Sequence, residues 1–169
     1  ILAAIQSLKG VKGRFEIVPH PFDFSVVVDY AHTPDGLVNV LKTAQAITNK
    51  RVIVVIGCGG DRDETKRSKM GAVATEFADY AIFTSDNPRS EDPMKILKQM
   101  EMGVTTSTYE LIVDREAAIE KALKIAQKDD MIIIAGKGHE TTQTFKNEKI
   151  HFDDVEVAKK ILEKITRNK

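Results

Sequence analysis

Five short runs of β-branched and aliphatic residues recur along the chain, each separated from the next by a longer stretch of helical period. No other feature of the sequence limits the fold as much. The runs at 25–28, 52–56, 80–84, 109–113 and 131–135 read as strands. Between the first two, Leu37, Val40, Leu41, Ala44 and Ile47 fall on one face of a helix that starts with Thr33 as a cap and Pro34 in the first turn. Residues 65–78, 93–102 and 115–127 predict further helices, and a last one begins at Asp153, with Glu156 three positions on as in a capping box. Residues 15–18 add an edge strand. The strands are apolar almost throughout, as strands covered on both faces are, and crossovers of this length build βαβ units. The predicted class is α/β: a Rossmann-like, doubly wound, mostly parallel sheet of about six strands with helices on both faces.

A chain of 169 residues, 42% of them hydrophobic, suits one domain with a sizeable core. Lysine plus arginine equals aspartate plus glutamate at 25 each, so no overall field recruits nucleic acid or an anionic membrane. Any charged ligand has to be met by local groups. The longest apolar runs fall far short of the ~20 residues of a membrane helix, and a soluble, cytoplasmic protein is expected. Cys58 stands alone, which excludes an internal disulfide and a multi-cysteine metal site, and the four histidines lack zinc spacing. No metal site is predicted, and Cys58 reads as a small packed residue.

In a sheet of this kind ligands bind outside the carboxyl ends of the strands. The segments there are Asp29-Tyr30-Ala31-His32-Thr33-Pro34, Gly57-Cys58-Gly59-Gly60-Asp61-Arg62-Asp63, Ser85-Asp86-Asn87-Pro88-Arg89, Asp114-Arg115 and Gly136-Lys137-Gly138-His139-Glu140. Two familiar glycine templates fail. Arg62 stands where the dinucleotide fingerprint needs its last glycine, and Gly138 stands where a P-loop needs Ser or Thr, so neither nicotinamide binding nor ATP chemistry by that route is expected. The glycines do allow close backbone approach to an anion, or they simply make tight turns.

Arg62 and Arg89 are guanidinium forks suited to carboxylates, Asp86 and Glu140 supply the opposite sign, and Asn87 both donates and accepts. A site with both signs suits a zwitterion. Taken singly, each residue has a plainer reading: Asp86 capping a turn before Pro88, Arg89 solvated, Glu140 in the first turn of a helix. Asp29 and His32 could touch a nucleotide, or merely precede the Thr33 cap. Lys66, Arg67 and Lys69 read as a solvated helix face, His20 and His151 as surface residues, and Asp114-Arg115 as a cap and pair at a helix start.

Taken together and in this order, the Asp29–Pro34, Gly57–Asp63, Asp86–Arg89 and Gly136–Glu140 segments resemble the carboxy-terminal domain of the Mur ligases, in the branch that adds diaminopimelate. The resemblance runs from about residue 10 to the end. It implies that residues 11–169 are an amino-acid-binding domain and residues 1–10 the end of a preceding ATP-binding domain or a linker, in keeping with a helix-like run at 1–8. It assigns meso-diaminopimelate binding to Arg62, Asp86, Asn87, Pro88, Arg89, Gly136 and Glu140, and places Asp29 and His32 near the nucleotide. It implies ATP and Mg2+ held mainly by a central domain, a UDP-N-acetylmuramoyl-dipeptide as acceptor, and no catalytic residue in this stretch, which positions only. Two positions depart from the family pattern: Ser68 in place of proline, and Thr142 where an aromatic is common. The alternatives are a lysine-adding or folate-polyglutamate-type ligase domain and a non-catalytic amino-acid-binding module.

Overall fold

In the computed structural model, which describes residues 11–146 and 148–167, the chain alternates strand and helix before closing with a hairpin and a final helix. The elements are β1 (Glu16–Ile17), β2 (Ser25–Asp29), α1 (Pro34–Ile47), β3 (Val52–Ile56), α2 (Thr65–Phe77), β4 (Tyr80–Phe83), α3 (Pro93–Glu101), β5 (Tyr109–Leu111), α4 (Arg115–Ile125), β6 (Met131–Ala135), β7 (Thr142–Phe145), β8 (Glu148–His151) and α5 (Asp154–Arg167). The run at 1–8 lies outside the described residues.

The main sheet has the order β1-β2-β6-β3-β4-β5, with β1 antiparallel to β2 and the other pairings parallel. This is the doubly wound α/β class that the alternation predicts. Strand β6 enters last and slots between β2 and β3, pairing Val27 with Ile133 on one side and Val54 with Ile133 on the other. The sheet's two faces follow from the period of two along each strand. Val27, Val54, Ile56, Phe83 and Ile133 point to one face, where Leu37 and Leu41 of α1, Met70 of α2 and Leu97 of α3 cover them. Val26, Val28, Val55, Ile132 and Ile134 point to the other, beneath Ile119 of α4 and Ile161 of α5. Each fully buried Leu or Ile contributes about 1.5–3 kcal/mol relative to exposure. The chain changes face where it runs from β5 through α4 back to β6, which makes the carboxyl ends of β2, β6 and β3 the switch point at which such sheets bind ligands.

The caps at Thr33 and Asp114 follow the sequence reading, and Asp92 adds one that was not singled out. Thr33 Oγ1 accepts from Gly36 N at 3.2 Å, Asp92 Oδ1 from Met94 N at 2.9 Å, and Asp114 Oδ1 from Ala117 N at 3.1 Å. Asp153 Oδ1 accepts from both Val155 N and Glu156 N. The Glu156 side chain, however, turns to His151 Nε2 at 2.6 Å and does not reach back to close a capping box. His20 is half-buried, with its ring 4.8 Å from that of Phe24, so it is not the plain surface residue expected; burial lowers its pKa. The β7–β8 hairpin was not expected at all. Its strands are short and largely polar on both sides, so they carry no core-facing alternation.

Candidate functional site

Loops from four adjacent strands, β2, β6, β3 and β4, meet at one edge of the sheet and enclose a cleft of about 360 Å³. Its walls are Tyr30 and His32 after β2, Gly136 and Glu140 after β6, Gly59, Arg62 and Lys66 after β3, and Asp86, Asn87 and Arg89 after β4. Of the residues singled out in the sequence, Arg62, Asp86, Asn87, Arg89, Gly136, Glu140 and His32 therefore share a single cavity. Pro88 is buried and does not line it. Asp29 does not line it either; its Oδ2 accepts from Phe15 N at 2.7 Å and its Oδ1 from Ala31 N at 2.8 Å, which fastens the segment before β1 to the start of the loop. The fifth loop, Asp114-Arg115, is also absent from the walls.

The Asp86–Arg89 loop owes its shape to the hairpin. Gln143 Nε2 donates to the carbonyls of Ser85 and Asp86, Thr144 N donates to Asn87 Oδ1 at 3.0 Å, and Arg89 N donates to Thr144 O at 2.9 Å. Arg89 thus pairs with Phe145 as a one-residue extension of the β7 edge. The loop also lies against the glycine loop after β3, where a Cβ on Gly60 would stand 1.8 Å from Pro88 O, so only glycine fits. Gly136 has φ +106°, a conformation side chains resist, and a Cβ there would come within 3.1 Å of Asp86 Oδ2.

The charges are distributed unevenly. Asp86 is 8% exposed, and its carboxylate accepts no hydrogen bond from any described residue. Burial raises its pKa, against the pull of Arg115 and Lys137. It caps no turn. Glu140 lies in no helix: its Oε2 accepts from Asn87 Nδ2 at 3.0 Å and from Lys137 Nζ at 3.3 Å, leaving Oε1 without a partner among the described residues. Lys137 is itself fully buried and also donates to Thr142 O at 2.6 Å, so the departure at Thr142 concerns a position whose backbone is used. Arg89 is half-buried; its Nη1 donates to Gly60 O at 2.7 Å and Nη2 is free of described partners. Arg62 is exposed and makes no hydrogen bond or ion pair with a described residue. The cleft therefore presents two guanidinium groups and two carboxylates with unused capacity, suited to a ligand bearing both signs.

Two readings are corrected. Arg67 is not on a solvated face but fully buried, pairing with Glu91 at 2.8 Å. Arg115 pairs not within its own helix start but with Asp154 of α5. Tyr30, Gly59 and Lys66 line the cleft without having been singled out for it. Among the described residues no group of His, Cys, Asp and Glu is arranged to hold a metal ion, and no helix is long and apolar enough to cross a membrane.

Comparison with known proteins finds close relatives of this chain. A curated relative from Halalkalibacterium halodurans, called UDP-N-acetylmuramoyl-L-alanyl-D-glutamate--2,6-diaminopimelate ligase, is 56% identical over 162 residues, covering 96% of this chain and 33% of its own. A protein of the same name from Bacillus velezensis is 57% identical over 158 residues, covering 94% and 32%. A solved structure of a ligase of that name superposes with a TM-score of 0.88 at 40% identity, over 94% of this chain and 33% of that one. The chain thus spans about a third of the length of these relatives. The family model "Mur ligase, glutamate ligase domain" matches residues 13–138, and with these relatives it shows that the chain belongs to the Mur ligase family.

Proposed function

We propose that this chain is the amino-acid-binding domain of a ligase that adds meso-diaminopimelate to UDP-N-acetylmuramoyl-L-alanyl-D-glutamate in the cytoplasm, with residues 11–169 as that domain and residues 1–10 as the end of the preceding domain or a linker. The observation that carries the reading is the shared cleft: Arg62 and Arg89 beside Asp86 and Glu140 offer paired sites of both signs for an amino acid with a carboxylate and an ammonium at each end. Arg62 and Arg89 take the carboxylates, Asp86 and the free Glu140 Oε1 take the ammonium groups, and Asn87 orients Glu140. Lysine lacks the distal carboxylate, so one guanidinium would lose water without gaining a partner, at a cost of about 1–3 kcal/mol or more.

In this reading ATP and Mg2+ are held mainly by a central domain, since the glycine loops here match no P-loop. The glutamate carboxylate of the UDP-linked dipeptide is phosphorylated by ATP. The ammonium group nearest the acyl phosphate gives up a proton to solvent before the site closes and becomes the attacking amine, which adds to the acyl carbon, loses a second proton and expels phosphate, leaving an amide, ADP and phosphate. This domain contributes placement, bringing the amine to within ~3–3.5 Å of the acyl carbon and excluding water. His32, on the cleft rim, faces the nucleotide, with Asp29 holding its loop. The chain alone is expected to show neither ligase nor ATPase activity.

The test is to assay the full-length ligase with meso-diaminopimelate and with L-lysine, as wild type and as Arg89→Ala. Diaminopimelate should be strongly preferred, and the variant should lose about 100-fold or more in kcat/KM for it alone. Equal turnover of lysine by the wild type would remove the reading.

A further inference from the structure

Arg62 and Arg89 sit on different loops, so the amino acid they select depends on how far apart those loops hold them. Arg62 makes no bond of its own to a described residue, and its direction is inherited from the backbone at Asp61, which lies at φ +53°. That backbone is gripped. Asp61 N donates to Glu91 Oε1 at 2.6 Å, Ser90 Oγ and Ser90 N donate to the Asp61 carboxylate at 2.5 and 3.2 Å, and Gly60 N donates to Asn87 O at 2.8 Å. Glu91 is the hub, because its carboxylate also receives both terminal nitrogens of Arg67, at 2.9 and 2.8 Å, and Arg67 Nη2 in turn donates to Gly59 O at 3.1 Å. One buried guanidinium on α2 is thus tied to the loop after β3 directly and to the loop after β4 through Glu91.

We propose that Arg67 and Glu91 are positioning residues for amino-acid selection: the pair fixes the separation of the Arg62 and Arg89 guanidinium groups, and with it the preference for an amino acid bearing a second carboxylate. The inference rests on the cleft being the diaminopimelate site. Stability alone does not account for the arrangement, since a buried ion pair is commonly matched by an apolar replacement of like volume. What an apolar pair could not supply is a carboxylate that accepts from a loop amide and a guanidinium that donates to a loop carbonyl, each with fixed direction.

Glu91→Gln and Arg67→Lys in the full-length ligase test the proposal. Losing a charge-assisted tie at this point should raise KM for meso-diaminopimelate about tenfold or more and reduce the preference over lysine by a similar factor. The kcat and the KM values for ATP and for the UDP-linked dipeptide should stay within about twofold. Arg67→Lys keeps the charge without the fork and should fall between wild type and Glu91→Gln. Ser90→Ala, an exposed change that removes one hydroxyl bond, should fold normally and move the lysine ratio in the same direction. Folded variants with unchanged diaminopimelate KM, or a parallel loss across all three substrates with a lowered Tm, would overturn the proposal. Arg89→Ala serves as the control: if it too leaves diaminopimelate use intact, the site assignment has failed, whereas if only it has an effect, the tie alone has failed.

Discussion

Arg115 Nη2 and Asp154 Oδ2 stand 2.8 Å apart with neither side chain exposed, joining the first residue of α4 to the first residue of α5 under the floor of the cleft. The same guanidinium donates to Ser85 O at 3.3 Å and to Ala135 O at 3.0 Å, the carbonyls where the chain leaves β4 and β6. The two loops that carry Asp86 and Gly136 therefore start from a common anchor.

Removing one partner leaves the other charged and buried. Asp154→Ala should destabilise the domain by about 3–5 kcal/mol in urea unfolding, whereas the double change Arg115→Met, Asp154→Leu should recover most of that loss. A loss below about 1 kcal/mol in the single variant would show that the anchor has a solvated alternative.

Cys58 is 2% exposed, and burial pushes its thiol up to about 12. Thiolate is the reactive form, so the native domain should resist alkylation at pH 8 and react once urea has unfolded it. Labelling at equal rates in both states would place Cys58 at the surface.

The strands of the main sheet and four of the five helices were legible because each left a local trace: Pro34 and Pro93 at helix starts, Asp114 and Asp153 as caps, and unbroken apolar runs in β3 and β6. The second helix was legible by spacing alone, since Glu64 makes no side-chain cap. The cleft residues were legible because the topology sends every parallel strand's carboxyl end to one edge. What the sequence hid is set by partners distant along the chain or by turns without a local signal. Arg67 lies among Lys66, Ser68 and Lys69 and looks solvated, because its carboxylate comes from Glu91, 24 positions on. Lys137 gives no sign of burial, since its acceptors, Glu140 and Thr142 O, depend on a turn after β6 that no repeat announces. The hairpin that shapes the Asp86–Arg89 loop presents Gln143 and Thr144, residues common in any exposed strand.

Glu91 gives the domain an acid limb. Its hydrogen bonds from Arg67 hold its carboxyl down at about 2, below the ordinary 4.5. A depressed carboxyl contributes stability that is fully present above its ordinary value and is lost as pH falls towards the folded one. The stability difference between wild type and Glu91→Gln should therefore be flat above pH 5 and shrink between about pH 4.5 and 2. A difference independent of pH throughout would mean that the carboxylate gains nothing from Arg67.

Asp86 titrates in the opposite sense. Burial holds its pKa above the ordinary 3.8, so the folded protein keeps this proton more tightly than the unfolded chain, and stability declines as pH rises through the window above that value. When ionised, Asp86 is a buried carboxylate with no hydrogen bond from a described residue, a cost that an ammonium group in the cleft would offset. Asp86→Asn should accordingly gain stability over wild type as pH rises through the window above 3.8, with the difference levelling off below about pH 4. In the full-length ligase the same variant should raise KM for meso-diaminopimelate, since the amide cannot neutralise an ammonium. The two effects have one cause, and at a pH inside the window where Asp86 still holds its proton, calorimetry of diaminopimelate binding in buffers of different ionisation enthalpy should detect proton release that Asp86→Asn abolishes. A variant both less stable at pH 8 and unaltered in KM would assign Asp86 to the scaffold and not to the ligand.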